Sequence, residues 1–144
     1  MIKIELERVK GDFGFVAKDA SGHTVQMDTS TEGGGSDFGA RPMQLLLMGL
    51  GGCSAIDIVS ILKKQRQNVE GFSMKIEGER EPGKEPSLWK DVTIVFELKG
   101  EIDPQKALRA AELSINKYCS VAETLRRAGG SVSWQVRVND QTIQ

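Results

Sequence analysis

The run from Arg41 to Lys64, RPMQLLLMGLGGCSAIDIVSILKK, is the most apolar stretch of the chain and constrains the rest most. Pro42 suits the first turn of a helix, where its missing N–H would lack a partner anyway. Lys63, Lys64 and Arg66 favour the negative end of a helix dipole, and Gly71 lies just beyond. The pattern predicts a helix from Pro42 to about Gln67. A helix apolar on most sides belongs in a core. Gly49, Gly51 and Gly52 sit inside it, and each costs roughly 1 kcal/mol against alanine. Another backbone is therefore expected to approach closely there, most naturally that of a second helix from this or a partner chain. Cys53 follows directly. A lone cysteine on a buried helix is ordinarily a packing residue, so its role depends on the rest of the sequence.

The length of this run approaches the roughly 20 residues needed to cross a bilayer. Gln44, Ser54, Asp57 and Ser60 interrupt it, and an acid near a bilayer centre costs about 2.5–3.5 kcal/mol. The expectation is a core helix and no membrane. With 144 residues the chain suits one domain, residues 1–144. A domain of this size buries roughly 68–70% of its unfolded surface and needs neither disulfides nor metal to fold. Net charge is −1, with acids and bases interspersed, which is not the basic field that nucleic acid requires. The N-terminus, MIKIELERVK, has no apolar core of a secretory signal. The expected compartment is the cytoplasm, where thiols stay reduced unless they do redox work.

Ile2, Ile4 and Leu6 alternate with charged residues, as a half-buried strand does. Lys10-Gly11-Asp12 turns the chain into a second strand, Phe13 to Lys18, and Asp19 to Gly22 turns it into a third, His23 to Asp28. The glycine-rich run Thr29 to Ala40 lacks the Lys-Ser/Thr pair of a phosphate loop. It reads either as a connector or as a loop lining a site. After the long helix, Phe72 to Arg80 and Trp89 to Lys99 alternate as two strands of a hairpin. Asp103 and Pro104 open a second helix. Its stripe of Leu108, Ala111, Ile115, Cys119, Ala122 and Leu125 runs to Gly129-Gly130. Val132 to Val138 makes the last strand. The order βββ-α-ββ-α-β gives an α+β class with mostly antiparallel sheet packed on two long helices.

Each cysteine thus lies on its own long helix. If the glycine patch and the Cys119 turn face each other, the thiols come within disulfide range; two unrelated buried cysteines would give the same pattern. Arg41 is a candidate cation to activate a thiol, but it lies some three turns before Cys53. Asp57, one turn after Cys53, would oppose thiolate formation if it pointed at the sulfur. With one histidine, His23, the two cysteines cannot assemble a typical four-ligand zinc site; a carboxylate-assisted site stays open, though no spacing supports one. No metal or cofactor is expected.

Pro42-x-x-Leu45-Leu46 followed by Gly51-Gly52-Cys53 resembles the first cysteine motif of the OsmC/Ohr family, the osmotically inducible and organic hydroperoxide resistance proteins. Cys119, within Asn116 to Val121, falls where that family carries its second cysteine. The resemblance covers essentially the whole chain. It implies an OsmC-like fold and an intertwined homodimer with a cysteine pair at the subunit interface. It further implies peroxiredoxin-type reduction of organic hydroperoxides. Cys53 would attack the peroxide, Cys119 would resolve the sulfenic acid to a disulfide, and an external dithiol would reduce that disulfide. Family members that reduce hydroperoxides carry a glutamate just after the helix-start proline, where this chain has Met43. They also carry an arginine in the N-terminal hairpin, where the nearest bases are Arg8 and Lys10. Asn116 and Ser120 replace the family's His and Pro around the second cysteine. This is the pattern of an OsmC-like branch with an altered active site, in which Arg41, Met43 and Asn116 are supporting positions. The alternative is a binding or redox-sensing protein on the same scaffold, with Met43, Met48 and Leu50 lining a pocket for a small apolar ligand. A third reading is a structural dimer whose cysteines only pack.

Overall fold

The computed structural model describes residues 1–143. The chain divides into two compact units, residues 1–46 and 47–144, taken in turn.

The first unit is a three-stranded antiparallel meander in the order β1-β2-β3: β1 (Ile4–Lys10), β2 (Gly14–Asp19) and β3 (Thr24–Met27). The turn signals place all three strands within a residue or two of expectation, but β1 is exposed along its whole length, Ile4 and Leu6 included, and not half-buried as its alternation suggests. The glycine-rich run that follows is not a loose connector. Asp28, 3% exposed, sits at its centre. Its carboxylate accepts the backbone N–H groups of Thr29 (2.7 Å), Ser36 (3.0 Å) and Phe38 (3.2 Å). Burial by itself would raise this carboxyl. The N–H groups of Phe38, Ser36 and Thr29, with the charge of Arg41, outweigh it and hold the group below its ordinary value. The loop closes where Asp28 N–H donates to Ala40 C=O at 3.1 Å.

The second unit is built on a four-stranded sheet, β4-β5-β6-β7: β4 (Asn68–Arg80), β5 (Trp89–Glu101), β6 (Ser131–Val138) and β7 (Gln141–Thr142). β4 and β5 pair antiparallel over their length, as the hairpin pattern predicts. β5 and β6 pair parallel, because the helical segment between them carries the chain back across the sheet. β7 lies beyond the expected elements. Asn139 and Asp140, both at positive φ (49° and 68°), make the tight turn that lets Gln141 and Thr142 pair back onto β6.

One face of this sheet is apolar. Val92, Ile94, Phe96 and Leu98 of β5 are all buried and share a core with Val136 and Val138 of β6. The long helix α1 (Pro42–Lys64) contributes Leu50, Ile58 and Leu62 to that core. It ends three residues before the sequence expectation. Arg66 takes a left-handed conformation (φ 58°) and Gln67 N–H caps the Leu62 carbonyl at 2.9 Å, so an arginine rather than Gly71 turns the chain. Length and composition alone would let α1 cross a bilayer, but its residues at 50, 51, 54, 58 and 62 are buried within the protein.

The glycines of α1 have a different neighbour from the one expected. A Cβ on Gly51 would lie 2.9 Å from Ile76 Cδ1 and 3.2 Å from Met74 Sδ, so the tightest approach is to side chains of strand β4, while a Cβ on Gly49 would meet Val121 Cγ2 of the Cys119-bearing helix only at an ordinary 4.0 Å. Gly52 has nothing within 4 Å of such a Cβ. It stands on an exposed apolar stripe with Met48, Ile56 and Val59, which are 57, 73 and 42% exposed.

The second expected helix is two helices joined by a wider turn: α2 (Pro104–Leu113), a π-helical turn (Ser114–Tyr118) and α3 (Ser120–Arg127). Asp103 caps α2 by accepting Gln105 N–H at 2.9 Å, with Pro104 in its first turn, as its sequence predicts. The helix is broken just before Cys119, whose backbone is extended (φ −74°, ψ 104°). The α+β class and mostly antiparallel pairing stand; the element order gains a third helix and a seventh strand.

Candidate functional site

Cys53 lies midway along α1, on the turn after Gly49, and is half-buried. Asp57 follows one turn later on the same helix. Residues four apart share a helix face, so the thiol and the carboxylate point the same way. Cys119 arrives from α3. Its N–H donates to Ser114 C=O at 2.7 Å, closing the wide turn. Its Sγ accepts Ala122 N–H at 3.4 Å, which makes the sulfur the N-cap of α3 in place of the usual oxygen. The two sulfurs and an Asp57 carboxylate oxygen all lie within 4.8 Å of one another.

Ser114 fixes this arrangement. It is fully buried, and its hydroxyl donates to Asp57 Oδ2 at 2.9 Å. The wide turn that presents Cys119 therefore also supplies the hydrogen bond that orients the carboxylate.

The two thiols differ. Cys119 is 2% exposed. Burial, foremost, together with hydrogen bonding and charge at Cys53, pushes its thiol from 9.0 up to about 11, against the opposing N–H groups of Ala122 and Val121. It is held protonated at neutral pH. Cys53 is the less buried residue of the two. Asp57 lines a cleft of about 330 Å³ with Ser60, Ile61, Lys64, Leu113 and Tyr118. Cys119 lines another of about 320 Å³ with Tyr118, Glu123 and Arg127. The exposed Tyr118 borders both. A larger hollow of about 730 Å³ along β1 and β2 contains neither cysteine.

In the first unit, Arg41 Nη1 donates to Asp37 Oδ1 (2.8 Å) and to Gly39 C=O (3.0 Å), so its guanidinium is engaged with the glycine-rich loop. Met43 is half-buried in the first turn of α1. Asn116 is exposed on the wide turn. Leu50 is fully buried in the core whereas Met48 is exposed, so these two do not line one pocket. Sequence reasoning considered Asp57 only as an opponent of the thiolate. Its spacing from Cys53 was the available signal, and the Ser114 hydroxyl that holds it had none.

The OsmC-like protein family model matches residues 33–134, a span holding both cysteines, Asp57 and Ser114. Protein YhfA of Escherichia coli (strain K12) is 41% identical over 115 residues, covering 79% of this chain and 82% of that protein. A hypothetical protein from Aquifex aeolicus VF5 has a solved structure that superposes with a TM-score of 0.79 at 28% identity, covering 96% of this chain and 98% of that one. An organic hydroperoxide resistance protein OsmC from Legionella pneumophila superposes at 0.67 with 18% identity, covering 96% of each chain. The cysteine-bearing helices, the strand order and these matches agree: the chain belongs to the OsmC-like protein family.

Proposed function

We propose that this protein is a thiol peroxidase that reduces organic hydroperoxides through Cys53 and Cys119. The observation that carries the reading is the convergence of the Cys53 sulfur and Asp57 carboxylate of α1 with the Cys119 sulfur from the cap of α3, all within 4.8 Å. Family membership supports it, as does the likeness to a protein described as an organic hydroperoxide resistance protein.

The Cys53 sulfur, as thiolate, attacks the terminal oxygen of the hydroperoxide. The O–O bond breaks, the alkoxide leaves and takes up a proton as an alcohol, and Cys53 becomes a sulfenic acid. Cys119 then attacks the Cys53 sulfur, the S–O bond breaks and water leaves. Asp57 accepts the proton that Cys119 gives up and passes it to the departing hydroxide, which leaves as that water; this matters because the Cys119 thiol ionises poorly by itself. An external dithiol reduces the disulfide by exchange, supplying the two electrons that the peroxide consumed. The lesser burial of Cys53 and the full burial of Cys119 support this division of roles. Arg41 and Asn116 are second-rank positions in this reading, and Met43 offers no charge. The exposed stripe of Met48, Gly52, Ile56 and Val59 supports a homodimer, with a second copy of the helix covering it. The cytoplasm, rich in dithiol reductants, is the matching compartment.

The test is turnover of an organic hydroperoxide by reduced protein with a dithiol donor. Cys53→Ser abolishes consumption; Cys119→Ser allows one oxidation per chain and no recycling. Absence of consumption with every dithiol tried would overturn the proposal.

A further inference from the structure

The sequence leaves a carboxylate-assisted metal site open without a spacing to support it; the fold brings the donors together. We infer that Cys53, Asp57 and Cys119 form a binding site for a thiophilic divalent cation such as zinc. The three donor atoms already lie within 4.8 Å of one another. Zinc bonds of about 2.3 Å to sulfur and about 2.0–2.2 Å to oxygen place tetrahedral ligand pairs about 3.5–3.8 Å apart, so each pair closes by at most about 1.3 Å. Two sulfurs and one carboxylate oxygen are donors that zinc accepts.

The donors are also oriented in advance. Ser114 holds the Asp57 carboxylate through Oδ2 at 2.9 Å, and Ala122 N–H holds Cys119 Sγ at 3.4 Å. Such outer contacts fix ligand direction in metal sites. Among the described residues Asp57 makes no ion pair with a lysine or arginine, so no cation on the protein already neutralises it. Three protein donors leave the fourth position to water from the clefts that Asp57 and Cys119 line. As the metal binds, each thiol loses its proton to solvent and no electrons move. With both sulfurs ligated, neither can attack peroxide or form the disulfide. That consequence rests on the peroxidase reading; the binding itself does not.

The experiment is a cadmium and zinc titration of chelator-treated, reduced protein, read by ultraviolet thiolate-to-cadmium absorption and by calorimetry. The expected result is one metal per chain, with affinity lowered in Asp57→Asn by more than the roughly 10–100-fold that loss of an outer contact costs, and the sulfur band halved in Cys53→Ser. Asn retains an acceptor for Ser114, and circular dichroism checks that each variant is folded. Absence of a thiolate–cadmium band in the wild type, or unchanged affinity in folded Asp57→Asn, overturns the three-donor site. Peroxide turnover without metal binding refutes this inference alone. Metal binding as described without turnover sustains it and refutes the peroxidase reading.

Discussion

The Ser114 hydroxyl donates to Asp57 Oδ2 at 2.9 Å, joining the wide turn before Cys119 to the helix that carries Cys53. This one bond ties the two halves of the thiol site together. A buried hydroxyl bonded to a carboxylate contributes about 1.5–3 kcal/mol. Ser114→Ala should lower stability by that order in chemical denaturation. It should also slow disulfide formation, because the carboxylate is no longer held beside the sulfurs. Unchanged stability would mean that the hydrogen bond does not hold in solution.

The Cys119 thiol gives a pH signature. Its value is raised from 9.0 to about 11, chiefly by burial, so the folded chain holds this proton more tightly than the unfolded chain does. The stabilisation is fully present below about pH 9 and is lost as pH rises through about 11. Melting temperature of the reduced wild type should fall across that window. Cys119→Ser keeps an oxygen cap on α3 but has no thiol to titrate, and should flatten this part of the profile.

Asp28 predicts the behaviour of the glycine-rich loop. With the carboxylate gone, the N–H groups of Thr29, Ser36 and Phe38 lose their shared acceptor. Asp28→Ala should speed proteolytic cleavage between residues 29 and 40. Because the carboxyl is held below its ordinary 3.8, its stabilisation is present above that value and is lost as pH falls through the lower folded one. Wild-type protection of the loop should therefore fade only in strong acid.

The glycines of α1 separate core from surface. Gly51 faces Ile76 and Met74, whereas Gly52 faces open space. Gly51→Leu overpacks that contact and should destabilise the chain by about 1–3 kcal/mol or more. Gly52→Glu leaves the fold intact but puts a charge in the exposed stripe. Sedimentation should find a wild-type dimer and a shift towards monomer in Gly52→Glu. A wild-type monomer at all concentrations would remove the proposed interface.

Strands and their turns were legible in the sequence because alternation and Gly, Pro or Asp signals act locally. The break before Cys119 was not. Leu108, Ala111, Ile115, Ala122 and Leu125 keep a continuous apolar stripe through it, and a wide turn absorbs its extra residue without a proline or glycine to mark it. Cys119 therefore read as a mid-helix residue on the apolar stripe when it is the cap of a new helix. The glycines of α1 correctly signalled close approach, but composition does not say whether helix or strand is the neighbour. The pairing of Cys53 with Cys119 was legible as a geometric option. The carboxylate beside them depends on a hydroxyl 57 positions away in sequence, which no local pattern encodes.

The central claim is that the two sulfurs act on each other after one of them meets a peroxide. The direct measurement adds one equivalent of an organic hydroperoxide to fully reduced protein, then maps peptides by mass spectrometry without reductant. The account predicts a Cys53–Cys119 disulfide within each chain, and a stable sulfenic acid on Cys53 when Cys119 is replaced by serine. Oxidised protein lacking that linkage, or oxidation that begins at Cys119 while Cys53 stays a thiol, would contradict it.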